Sequence, residues 1–144
     1  MWWKHALFMF VGMVALQVFF MPFVMVAELS HVRFSVNQGW MGAVMGAAMV
    51  LLGGVMMPMP WWAWGLTVFV GVIAIVGVKQ QWFVTDREYL HDMIPHHSMA
   101  LVTSRARFNS VNPEIQTLAR KIYGTQVQEI AEMADLESRS STTR

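Results

Sequence analysis

Three apolar runs constrain this chain more than any other feature. Ala6–Ala27 is interrupted only by Gln17 and Pro22, Trp40–Met57 carries no polar side chain, and Trp61–Val78 has only Thr67. A helix of about 20 apolar residues crosses the hydrocarbon core of a bilayer. A soluble chain of 144 residues has no interior large enough to hide three such helices. The runs therefore predict transmembrane helices at about 6–27, 40–57 and 61–78, within a membrane region of residues 1–82. Charge agrees. Only 13% of residues are charged, against about 25% in ordinary soluble domains, and before Lys79 the charges are Lys4, Glu28 and Arg33 alone. Tryptophans gather at the run ends (Trp2, Trp3, Trp40, Trp61, Trp62, Trp64 and Trp82), as in an interfacial aromatic belt. The first run is longer than the apolar stretch of a signal peptide and is expected to be retained.

Three spans fix parity. The Glu28–Gly39 loop and everything after Lys79 share one side of the bilayer, so Glu28, His31 and Arg33 can face the polar segment. The short Pro58–Pro60 turn shares the other side with the N-terminus. The positive-inside count, Arg33, Lys79 and Arg87 against Lys4 and the terminal amine, leans by about one charge toward a cytoplasmic polar segment.

Methionine is abundant, 14 of 144 residues. Met9, Met13, Met21 and Met25, with Gln17, recur every four residues in the first run, and Met41, Met45 and Met49 in the second. Residues four apart share a helix face. Such an intramembrane thioether stripe is adaptable packing or a soft-ligand path for Cu(I). Gly42 and Gly46 let another helix approach closely, within one subunit or between two.

Residues 83–137 read as a helical hairpin, followed by a polar tail, 138–144. Thr85-Asp-Arg-Glu88 has the form of a capping box. Asn112 then Pro113 is an N-cap with proline in the first turn. A turn centred near residue 110 would set His97 near Tyr123 and Met93 near Val127. The whole chain is thus expected to be all-α.

The chemistry gathers at His91-Asp-Met93-Ile-Pro95-His96-His97, which holds three of the five histidines. Gln126, Glu129 and Met133 lie within a turn or two of its level on the second helix. Imidazole suits copper, zinc, iron or nickel, and thioether selects Cu(I). With no cysteine, thiolate chemistry is excluded, and copper handling without thiols suits an oxidising compartment. Glu28, His31 and His91 are additional candidate ligands. No phosphate loop, zinc-protease motif or nucleophile–base pair is present, and a net charge of +1 without a basic aromatic patch gives no sign of nucleic-acid binding.

Both halves of this pattern resemble the domain of unknown function 305 family. Met93-Ile-Pro-His96-His97 is similar to its Met-Ile-Pro-His-His segment, and Gln126-x-x-Glu129-Ile-x-x-Met133 to its second motif. The resemblance covers about residues 84–137, and the Met-rich spans are like those of its membrane members. It implies a ferritin-like four-helix bundle of two hairpins, copper binding in some members, export, and Met93, His96, His97, Gln126, Glu129 and Met133 as metal positions. Many members hold two hairpins and this chain holds one. Two helices cannot close a four-helix core, so a homo-oligomer is expected, unless the hairpin packs on a membrane surface.

Three functions follow as expectations. One is copper binding or homeostasis, with a metal donor or acceptor protein as partner, in a bacterial plasma membrane with the polar segment outside. Another is a di-metal iron or manganese redox enzyme using Glu88-x-x-His91 and Glu129, with zinc a further candidate metal. The last is a structural membrane oligomer with no metal. No enzymatic reaction is assigned.

Overall fold

The computed structural model describes residues 1–142 and is helical throughout its long elements: α1 (Trp2–Ala15), a π-helical turn (Leu16–Phe20), α2 (Met21–Met25), a 3₁₀ turn (Leu29–His31), α3 (Val36–Met56), α4 (Trp61–Lys79), α5 (Asp86–Arg105) and α6 (Pro113–Thr142). The all-α expectation holds. The chain forms two compact units, one of residues 1–21 with 35–84, the other of residues 22–34 with 85–144.

Three helices of the described residues are long and apolar enough to cross a membrane: Trp2–Met25, Val36–Met56 and Trp61–Lys79. The first starts four residues earlier than its apolar run and ends two earlier. Pro22 cannot donate to the carbonyl one turn back, and the helix widens into the π turn just before it. The second starts at Val36 because Ser35 and Gln38 form a reciprocal capping box.

In the first unit α3 is the centre, with α1 and α4 packed on it. Its glycines set both distances. A Cβ on Gly42 would lie 3.1 Å from Val14 Cα, and one on Gly46 would lie 2.8 Å from Phe10 Cδ2 and 3.0 Å from Phe10 O. The Gly42–Gly46 pair is therefore used within the subunit, against α1. On the α4 side the Trp40 indole lies flat on Gly77, where a Cβ would come within 2.7 Å. The same indole donates to Trp82 O (3.0 Å) and stacks with Phe83. It so braces a connector in which Gln81 and Phe83 hold positive φ, 53° and 63°, at a cost of about 1–2 kcal/mol each. Trp2 meets Trp62 edge to face at 5.5 Å, which pairs the starts of α1 and α4 as the parity requires.

The two methionine stripes differ in setting. Met9 reaches the surface of α3 at Gly53. Met41, Met45 and Met49 are 44%, 47% and 41% exposed, on the outer surface of the unit. Met13, Met21 and Met25 are half-buried.

The second unit is the hairpin of α5 and α6 with the 22–34 segment. Ile94, Leu101 and Ile130 form its core, with Tyr123 and Met133 packed against them. Thr85 caps α5 through Glu88 N–H (3.3 Å), and Asn112 caps α6 through Glu114 N–H (2.9 Å). Two expectations are corrected here. Residues 138–142 are not a tail, because α6 continues to Thr142, with Arg139 paired to Asp135 and Ser138 bonded back to Asp135 O; 143 and 144 lie outside the described residues. The hairpin register also differs. His97 faces Glu129 and not Tyr123, more than a turn further along α6. The cause lies in the turn, which folds along the start of α6. Phe108 O accepts from Gln116 Nε2 (2.6 Å), and its ring packs on Tyr123 at 5.3 Å.

Candidate functional site

Within the Met-Ile-Pro-His-His segment the helix divides the labour by face. Ile94 and Pro95 are buried, Met93 and His97 are half-buried, and His96 is exposed. Ser98 is fully buried. It accepts from Ala27 N–H at 2.8 Å and pairs with His31 Nδ1 at 2.9 Å, which fastens the 22–34 segment to α5.

On the other side of the segment His97 Nδ1 lies 3.0 Å from Glu129 Oε2. That nitrogen is shut off from solvent and has no aligned hydrogen bond. Gln126 Nε2 donates to the same Glu129 oxygen at 2.9 Å. The His96 ring lies 6.2 Å from that of His97, centre to centre, at 61° between planes. Met93 is one turn before His97, and Met133 is one turn after Glu129, on the core. Of the six matched positions the structure thus joins His97, Gln126 and Glu129, and leaves His96 pointing to solvent. Among the described residues no three histidine, aspartate or glutamate side chains converge on one point.

The additional candidates go elsewhere. Glu28 is exposed and accepts from Ser30. His31 Nδ1 pairs with Ser98 Oγ. His91 Nδ1 donates to Phe34 O (3.1 Å), and its Nε2 lies 3.0 Å from Glu137 Oε1. Glu137 also takes Arg33, at 3.1–3.3 Å, while Arg33 Nη1 donates to Ser30 O and Val32 O. This Arg33–Glu137–His91 clamp was not read from the sequence. Its trace is there, since Gln126, Ile130, Met133 and Glu137 recur on one face of α6.

Burial alone would raise the Glu137 carboxyl. The hydrogen bond and charge of Arg33, and then those of His91, outweigh it and hold the group below its ordinary value. A lowered carboxyl stabilises fully above its unfolded value and loses that contribution as pH falls through the folded one. The stability lost in Glu137→Gln is therefore expected to be constant at neutral pH and to shrink as pH drops below about 4. Denaturant titrations of both proteins across that range check it; a difference independent of pH would count against the clamp.

Residues 82–143 match the Domain of unknown function (DUF305) family. The chain is also similar to the Uncharacterized protein L153 of Acanthamoeba polyphaga mimivirus, 39% identical over 69 residues. That stretch is 47% of this chain and 45% of the viral protein, so the chain spans less than half of its relative. No solved structure matches the chain.

Proposed function

We propose that this is a membrane-bound metal-binding protein that handles copper through the Met/His face of its hairpin. The observation that carries the reading is the His97 nitrogen, closed to solvent and unaligned with any hydrogen bond, beside Glu129 and Gln126. His96, Met93 and Met133 add an imidazole and two thioethers within a turn. That donor set suits Cu(I), and Cu(II) through the imidazoles and carboxylate. His97 and Glu129 would hold the ion, His96 and the thioethers would join as the ring turns, and the ion itself supplies binding or one-electron chemistry. A chain without cysteine handles copper best outside the cytoplasm, which favours the outer face of a bacterial plasma membrane for the hairpin. A metal donor or acceptor protein would then meet the exposed His96. Two helices alone do not close a four-helix core, so the reading includes a homo-oligomer.

The test is Cu(I) and Cu(II) binding by the purified full chain, by competition with a chromophoric chelator. His96→Ala with His97→Ala is expected to weaken binding by more than about 100-fold, since even outer-shell changes at metal sites cost 10–100-fold. Unchanged affinity and stoichiometry would overturn the assignment. Iron or manganese, and not copper, retained by the protein would favour a di-metal centre instead.

A further inference from the structure

Charge in the polar unit is sorted along its length. Around the hairpin turn, residues 101–122 carry Arg105, Arg107, Arg120 and Lys121 against one carboxylate, Glu114. The far end, residues 85–100 with 125–142, carries seven carboxylates and two arginines. The dipole of α5 accounts for its share, with Asp86 and Glu88 in the first turn and Arg105 in the last. The ends of α6 also follow its dipole, with Glu114 in the first turn and Arg139 in the last, but its interior is sorted the other way. Its paired cations Arg120 and Lys121 lie in the first half, and Glu132, Asp135 and Glu137 lie toward the C-terminus. Arg33 and His91 account for Glu137, and Arg139 for Asp135. The turn end is therefore net basic and the far end net acidic.

The same unit leaves a stripe uncovered. Leu118, Ile122, Glu129 and Leu136 share one face of α6. The three apolar ones are 56%, 38% and 51% exposed. This stripe runs past the candidate metal centre, which falls near the middle of both helices. Half of α5 lies on each side of His96, and half of α6 on each side of Val127. Leu118 and Leu136 are equally far from Val127. A two-fold axis at that level would lay the basic turn of one hairpin on the acidic end of another, and Leu118 on the partner's Leu136. A parallel pair would set cation against cation, which electrostatics disfavours.

We propose that two copies of this chain pair through this stripe with their hairpins antiparallel, so that His96 and His97 of both copies complete one metal centre. The ligand set rests on the copper reading above; the pairing stands on charge and stripe alone. The interface is self-complementary, as a two-fold dimer requires, and it closes a four-helix core.

The test uses the full chain in lipid nanodiscs. Leu118→Cys and Leu136→Cys, made singly in a chain with no native cysteine, are mixed and oxidised. The mixed disulfide is expected to exceed either like-to-like disulfide by about tenfold, the discrimination that 1.4 kcal/mol gives. Predominant like-to-like disulfides would overturn the antiparallel arrangement. Native mass measurement of the unsubstituted chain covers variants that fail to fold, and a monomer there would overturn the pairing. So would binding to acidic-lipid vesicles through the Arg105–Lys121 end with no mixed disulfide. Copper titration separates the two readings. A cross-linked pair that takes no copper keeps the pairing and removes the metal role. A monomer that binds one ion per chain at full affinity does the reverse.

Discussion

Replacing Gly46 by leucine is expected to leave little correctly folded protein in the membrane. The new Cβ would fall 3.0 Å from Phe10 O and 2.8 Å from its ring. The ring could turn aside, but the carbonyl is backbone and moves only if α1 moves. Overpacking of this kind costs about 1–3 kcal/mol, and more when a helix must shift. Association of membrane helices depends on such close packing, because lipid is as apolar as the side chains. Gly65→Leu is the control, since a Cβ there meets nothing within 4 Å. Thermal aggregation of both variants in the same detergent checks the pair. Equal loss would mean that Gly46 is not a packing contact.

Ile94→Ala is expected to destabilise the polar unit by about 2–5 kcal/mol, the usual cost of emptying a buried isoleucine site. Ile94 is 1% exposed and lies at the centre of the core with Leu101 and Ile130. His96→Ala, two residues on, should change stability by no more than about 0.5 kcal/mol, as surface substitutions do. The contrast separates two roles within one short motif. Ile94, Pro95 and Ser98 are buried and hold the fold, and Met93, His96 and His97 are the proposed donors. Denaturant unfolding followed by near-ultraviolet signals reads the first role, and chelator competition reads the second. Loss of copper affinity in Ile94→Ala at temperatures where it stays folded would blur that division.

The spans were legible because nothing else accommodates such runs of apolar residues, and their ends moved only where a cap or proline acted locally. Ser35 and Gln38 pulled α3 four residues earlier, and Pro22 loosened α1 into a π turn. Both helices of the hairpin were legible from their caps. Its register was not, because the turn is asymmetric: Phe108 folds back to bond with Gln116 and pack on Tyr123. The consequence for the site is small, since Glu129 lies between Gln126 and Met133 on α6 and meets both His97 and Gln126. The role of the glycines could not be read in advance. Gly42 and Gly46 serve the packing of α1 on α3 within one subunit. The Arg33–Glu137–His91 clamp joins residues 104 and 46 positions apart, and no local spacing announces such a meeting.

The 22–34 segment carries a consequence for how this protein is made. Ala27, His31 and Arg33 emerge from the ribosome well before Ser98 and Glu137, the residues they bind. Two helices of the membrane unit must be synthesised and inserted in between. The polar unit therefore cannot finish folding until α6 is complete, and its first strip must wait, held at one end of the first span. A fragment cut at the family boundary, residues 82–143, would lack that strip altogether. It would be born with Ser98 uncovered and Glu137 without its arginine.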